Sequence, residues 1–245
     1  MIITEHITKR YGANTALDDV GFTIERGEAV GLLGLNGAGK STVMNILTGY
    51  VSPSAGRALI GGYDIVSEPV EAKRLIGYLP ESPSFYSDMR VNEFLFFICG
   101  LKGVKKNRAE RVGEICERVG IGSVTGRLIR NLSKGYRQRV GLAQSLIGDP
   151  EVLILDEPTV GLDPSQIIEI RALIKSVGKN STVIVSSHIL SDIQAVCSRI
   201  IILDKGRIVA DGSSDMLGGT AETAADSLED KFIKLVKESS TGGER

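Results

Sequence analysis

Gly34-Leu35-Asn36-Gly37-Ala38-Gly39-Lys40-Ser41 is the most informative stretch of this 245-residue sequence. It fits the pattern Gly-x-x-x-x-Gly-Lys-Ser, and its flanks matter as much as the match. Residues 29–33 before it are almost wholly apolar, as in a strand buried on both faces, and residues 41–47 after it carry the apolar spacing of a helix that Gly49 ends. Strand, glycine turn and helix in that order form a cradle for phosphate. Glycines let backbone N–H groups point inward at close range, and the helix N-terminus adds partial positive charge. In such a cradle Asn36, Gly37, Ala38 and Gly39 line the turn, and Lys40 brings a point charge to the β and γ phosphates of a nucleotide. The Ser41 hydroxyl suits Mg²⁺, and Thr42 is placed to assist at the α phosphate.

Outward from this turn, residues 2–8 and 20–25 read as strands on the N-terminal side, with short strand-like pieces at 57–60 and 76–79 beyond it. Residues 91–148 then read as helical with interruptions, which predicts an inserted helical subdomain over about 82–148. From Pro150 the pattern alternates: apolar 152–155, helical 165–177, apolar 182–187, a short helix near 189–196, apolar 200–203. That alternation predicts a mostly parallel sheet covered on both faces, closed by a hairpin of 199–203 with 207–209. Residues 218–245 read as a C-terminal extension with one amphipathic helix and a frayed polar tail.

The apolar run 152–155 ends abruptly in Asp156-Glu157-Pro158. Adjacent carboxylates at the C-terminal end of a buried strand sit where α/β sheets place chemistry. Asp156 suits Mg²⁺ held through its water shell, and Glu157 suits polarisation of a water for attack on the γ phosphate. Read alone, the segment fits an acidic turn equally well. His188 closes a similar strand and could reach the γ phosphate from the edge of the site, whereas His6, on the first strand, reads as structural.

Composition narrows the class. Lys plus Arg number 29 and Asp plus Glu 30, a formal net charge of −1, so nothing draws the chain in bulk toward nucleic acid or anionic lipid. Cys99, Cys116 and Cys197 are scattered and odd in number, which fits neither a disulfide framework nor a metal pair and predicts buried thiols in a reducing cytoplasm. No apolar run approaches the roughly 20 residues that span a bilayer, and Glu5, His6, Lys9 and Arg10 leave the N-terminus no apolar core of the kind a secretory leader needs.

Leu132-Ser133-Lys134-Gly135-Tyr136-Arg137-Gln138-Arg139-Val140 narrows the choice further. It resembles the signature segment of ATP-binding cassette (ABC) ATPases, ordinarily LSGGQ, and lies upstream of the acidic strand as in that family. Gly161-Leu162-Asp163-Pro164 resembles the family's segment across the dimer interface, His188 its switch histidine, and Tyr11 the aromatic that stacks on adenine. The resemblance covers about residues 1–217 and implies an α/β P-loop NTPase: a mostly parallel sheet core, an N-terminal antiparallel β subdomain and the helical insert. It further implies an ATP hydrolase using ATP and Mg²⁺, with Lys40, Glu157 and His188 catalytic and with Ser133 and Gly135 serving the nucleotide of a second copy in trans. Its partners are then that second copy and a separate integral-membrane permease, with no nucleic acid, on the inner face of the cell membrane.

This sequence departs from the family pattern at named places. Lys134 and Tyr136 stand where glycine and glutamine are usual, so the trans contacts fall to Ser133, Gly135 and backbone. Glu81, in the lid segment Gly77-Tyr78-Leu79-Pro80-Glu81, stands where glutamine usually touches the Mg²⁺ water, and a glutamate can still accept from that water. The lid and signature together are most similar to the two-component exporter branch, of gliding-motility or multidrug type. The apolar Phe94-Leu95-Phe96-Phe97 run is a candidate docking face for permease helices, or else core. A soluble ABC protein acting on ribosome or DNA machinery is the rival reading. Such proteins usually carry two cassettes or a long coiled coil, and this chain has one phosphate loop and one signature segment.

Overall fold

In the computed structural model of the chain, residues 1–213 are described, so the extension expected at 218–245 lies outside the described residues. The order is β1 (Ile2–Tyr11), β2 (Asn14–Ile24), β3 (Ala29–Leu33), α1 (Lys40–Leu47), β4 (Ala55–Ile60), β5 (Tyr63–Asp64), α2 (Pro69–Arg74) and β6 (Ile76–Leu79). Then come α3 (Val91–Leu101), α4 (Arg108–Arg118), α5 (Lys134–Leu146), β7 (Val152–Asp156), α6 (Pro164–Val177), β8 (Thr182–Ser187), α7 (Leu190–Val196), β9 (Arg199–Asp204) and β10 (Arg207–Ser213). Two sheets result. An antiparallel one runs β2-β1-β4-β5, and a six-stranded one runs β10-β9-β3-β8-β7-β6, parallel except for its β10 edge.

The six-stranded sheet is central because its inner strands have no polar face. Every residue of β7 and β8 is buried. Their side chains alternate between two cores, as the pleat requires. Leu153, Leu155, Val183 and Val185 face the core shared with α3, α5 and α6, while Val152, Ile154 and Ile184 face the core shared with α1 and the antiparallel sheet. The helices between β6 and β7 therefore bury their apolar faces in the same core as one side of the sheet, and Phe94 and Leu95 belong to it. Phe96 and Phe97 do not: each is 37% exposed, which divides the run expected to be either docking face or core.

One close approach fixes α5 on this sheet. A Cβ on Gly77 of β6 would stand 2.0 Å from the Ser145 carbonyl oxygen near the end of α5, so only glycine lets helix and strand meet at that distance. The three cysteines are buried and free, and burial pushes the Cys197 thiol up to about 12.

The strands near the N-terminus are longer than their patterning suggests. β2 starts at Asn14 rather than near residue 20, forming a hairpin with β1 through Gly12, which takes φ +60°. Register shifts between Thr4 and Ile7 and again between Ile7 and Lys9 break the period-two signal there, and His6, at φ 51°, sits on the bulge with Nδ1 2.7 Å from Asp19. The two-residue β5 and six-residue α2 were not foreseen, being too short to show a period.

Candidate functional site

β3 delivers the chain into the glycine turn at the C-terminal edge of the sheet. Gly37 and Gly39 take φ +84° and +107°, the left-handed region where glycine alone is unstrained. Gly39 is also hemmed in: a Cβ there would stand 2.7 Å from Leu17 and 2.8 Å from the Ala16 carbonyl. α1 begins at the next residue, so its first N–H groups open toward the turn. Lys40 folds back into the loop, 5% exposed, donating from Nζ to the carbonyls of Gly34 at 2.7 Å and Leu35 at 3.3 Å.

β7 and β8 lie side by side with Asp156 opposite Ser186, and this pairing assembles the acidic half. The Ser186 hydroxyl donates to Asp156 and accepts the Glu157 N–H at 2.9 Å. Glu157 sits at φ 45°, a conformation costing an L residue about 1–2 kcal/mol and kept only where neighbours impose it. Its carboxylate, 7% exposed, lies between two cationic or potentially cationic groups: Oε1 is 3.4 Å from Lys40 Nζ and Oε2 is 2.9 Å from His188 Nδ1. Behind it, buried Asp192 accepts from Thr159 and from the Arg171 guanidinium, tying the loop after Glu157 to the helix after His188.

These parts meet in a cleft of about 590 Å³ lined by Asn36, Gly37, Gly39, Lys40, Ser41, Thr42, Glu81, Glu157 and His188. Ala38 is buried in the turn, and Asp156 lies beneath the cleft floor on Ser186. Tyr11 does not line the cleft; it is 49% exposed under the Lys9 ammonium, 5.0 Å from its ring centre, and Asn14, Thr15 and Ala16 line the wall instead. Ser133 and Gly135 stand apart from their own chain's cleft, at the start of α5, where Ser133 Oγ caps the helix by accepting the Tyr136 N–H at 3.4 Å. Ser186, Asn14, Thr15, Lys205 and the Asp192 cluster were missed by sequence reading. Only Ser186 carried a hint, in its place two residues before His188 at the end of an apolar run.

The electrostatics favour a cation. Burial, followed by the neighbouring charges of Glu157 and Glu81, raises the Asp156 carboxyl above its ordinary value, while the Ser186 hydrogen bond and Lys40 oppose the rise. Burial, followed by the charges of Asp156 and Glu81, also pushes Tyr78 up to about 12. Among the described residues no group of three or more His, Cys, Asp or Glu side chains could hold a metal alone. A hydroxyl, a buried carboxylate and an edge carboxylate beside a phosphate cradle instead suit Mg²⁺ arriving with nucleotide oxygens. The raised Asp156 carboxyl ties stability to pH. The folded chain binds this proton more tightly than the unfolded chain, so stability falls as pH rises from the ordinary carboxylate range through the raised value. Asp156→Asn, with nucleotide and metal absent, therefore raises Tm near pH 7 and flattens the pH dependence in thermal melts. A lower Tm for the variant would refute the assignment of the buried charge.

Comparison with known proteins agrees with this geometry. The profile of the ABC transporter family matches residues 17–160. The uncharacterized ABC transporter ATP-binding protein YxlF of Bacillus subtilis (strain 168) is 40% identical over 209 residues, covering 85% of this chain and 69% of the relative. The bacitracin transport ATP-binding protein BcrA of Bacillus licheniformis is 37% identical over 219 residues, covering 89% and 71%. Among solved structures, the dimeric post-hydrolysis state of the ATP-binding cassette MJ0796, bound to ADP and Pi, superposes with a TM-score of 0.80 at 25% identity, covering 88% of this chain and 99% of that one.

Proposed function

Because this chain belongs to the ABC transporter family, as an ATP-binding subunit that hydrolyses ATP, we propose that it is the motor of a two-part exporter, pairing with a second copy and driving a separate permease. The observation that carries the proposal is the division of the machinery. Lys40, Glu157 and His188 converge on one cleft, whereas Ser133 and Gly135 lie outside it at a helix start, an arrangement that supports their serving another copy's nucleotide.

Phosphate entering the cradle draws Lys40 from the Gly34 and Leu35 carbonyls to the β and γ oxygens, a stronger, charge-assisted pairing. With Lys40 engaged, Glu157 keeps His188 as its partner and faces the water that attacks the γ phosphate. The Ser41 hydroxyl would hold Mg²⁺, with Asp156 and Glu81 acting through its water shell, and the ion would offset the charge of the phosphates. Thr42 and the Asn36 to Gly39 backbone orient the polyphosphate, and Tyr11, three residues before the cleft-wall residue Asn14, is assigned to adenine by the family resemblance. A head-to-tail pair places Ser133 and the first turn of α5 on the partner's γ phosphate.

The permease carries the membrane crossing, since among the described residues no helix is long and apolar enough to span. Tyr86 and Phe97, packed edge to face at 5.4 Å and both exposed, form an apolar patch suited to its cytoplasmic helices, and the neighbouring Phe96 is exposed as well. The subunit is then held at the inner face of the cell membrane by its partner. The bacitracin transport relative and the exporter-type lid and signature support a drug-like cargo moved outward. Purification of the tagged chain from solubilised membranes should bring down one polytopic protein in stoichiometric amount, with ATP turnover stimulated in that complex. Recovery with ribosomes or DNA and no membrane protein would reject the reading.

A further inference from the structure

Gln138 has a task that the phosphate-handling groups leave unassigned. It lies one turn into α5, its side chain is 6% exposed, and Nε2 donates to the Pro158 carbonyl at 2.8 Å. A buried amide with such a partner fixes both ends, because breaking the bond leaves polar groups unsatisfied. Pro158 directly follows Glu157, and its ring locks φ, so the carbonyl and the Glu157 backbone move together. Glu157 holds its left-handed φ of 45° under restraint from two sides: Ser186 on its N–H, and Gln138 on the next carbonyl.

The same helix start touches that loop once more, and the first turn of α6 beyond it. Lys134 lies across Gly161, with Nζ 1.9 Å from where a Cβ would stand, and the Gln166 amide tip packs on Gly135, 2.8 Å from where a Cβ would stand. The first turns of α5 are therefore coupled to the stretch from Pro158 into the first turn of α6 by one buried hydrogen bond and two close contacts.

We infer that Gln138 is a positioning residue for Glu157: it links the helix start that meets the partner's nucleotide to the carboxylate that acts on the chain's own, so that each cleft reaches full turnover only when the opposite one is filled. This rests on the paired reading above. Filling the partner's cleft pulls on Ser133 and the α5 N-terminus, and through Gln138 that displacement reaches the Pro158 carbonyl and the backbone torsion of Glu157.

Gln138→Met keeps length and apolar packing while removing the donor. Steady-state hydrolysis should show kcat about 10-fold lower because Glu157 is less firmly set, with single-site ATP affinity near wild type, Tm lower by only about 2–4 °C for the unpaired Pro158 carbonyl, and positive cooperativity in ATP abolished. Gln138→His, which returns an N–H at similar reach, should restore part of both kcat and cooperativity. Unchanged kcat and cooperativity, a lower kcat with cooperativity retained, or a joint fall in affinity and Tm would each overturn the inference. Failure of pairing itself is separable: if Glu157→Gln never yields an ATP-held dimer, the paired reading fails, whereas a dimer there beside wild-type cooperativity in Gln138→Met sinks only the role of Gln138.

Discussion

Glu157→Gln lowers ATP turnover by about 100- to 10,000-fold, the range that a positioned general base contributes, while ATP binding is kept. The substitution is nearly isosteric, so the Ser186 bond to the residue 157 N–H and the strained backbone at that position are retained. What goes is the negative charge between Lys40 and His188, and with it the group able to draw a proton from the attacking water. Removing a carboxylate from beside a triphosphate also removes a like-charge repulsion, so nucleotide should bind as tightly or more tightly. Bound but not cleaved, ATP then holds two copies together. Phosphate release and light-scattering mass after gel filtration with Mg·ATP give the two readouts. Turnover within a factor of two of wild type would remove Glu157 from its role, and a monomer in the presence of ATP would remove the paired arrangement.

Much of this arrangement was legible because it is local. The strands Ala29–Leu33 and Val152–Asp156 announce themselves as unbroken apolar runs, and the cradle and acidic pair follow directly from where those runs stop. The early half of β2 was not legible: its exposed, polar start and the bulged pairing with β1 leave no sustained alternation. That miss also hid Asn14 to Ala16, which line the cleft wall beside the cradle. The supports of Glu157 were hidden for a different reason. Ser186, Gln138 and the Thr159, Asp192 and Arg171 cluster are tied in by hydrogen bonds that span 20 to 33 residues, so their partners show only once the sheet register and the α5 packing bring them together. A serine in an apolar strand and a glutamine on a helix carry no chemistry by type; here the geometry supplies it.

Lys40→Met should weaken Mg·ATP binding by more than about 100-fold, since two charge-assisted hydrogen bonds to phosphate at roughly 1.5–3 kcal/mol each are lost. Methionine preserves the buried stem, which keeps the test on the charge rather than on packing. The ammonium now held by the Gly34 and Leu35 carbonyls is the one cation that the loop itself contributes to the cleft, and the turn's N–H groups cannot replace it because they donate only partial charge. Its loss also leaves Glu157 without its cationic neighbour at 3.4 Å, so the variant carries an unscreened carboxylate where the triphosphate must settle, and the two effects act in the same direction. Thermal stability is the internal control: the carbonyls freed at Gly34 and Leu35 border an open cleft and can take water, so Tm should move by only a few degrees while binding collapses. Isothermal titration with Mg·ATP beside a thermal melt decides it. Wild-type affinity in the Met variant would mean that the glycine turn does not grip a nucleotide at all, and the cleft, the acidic pair and the paired copies would have to be explained without one.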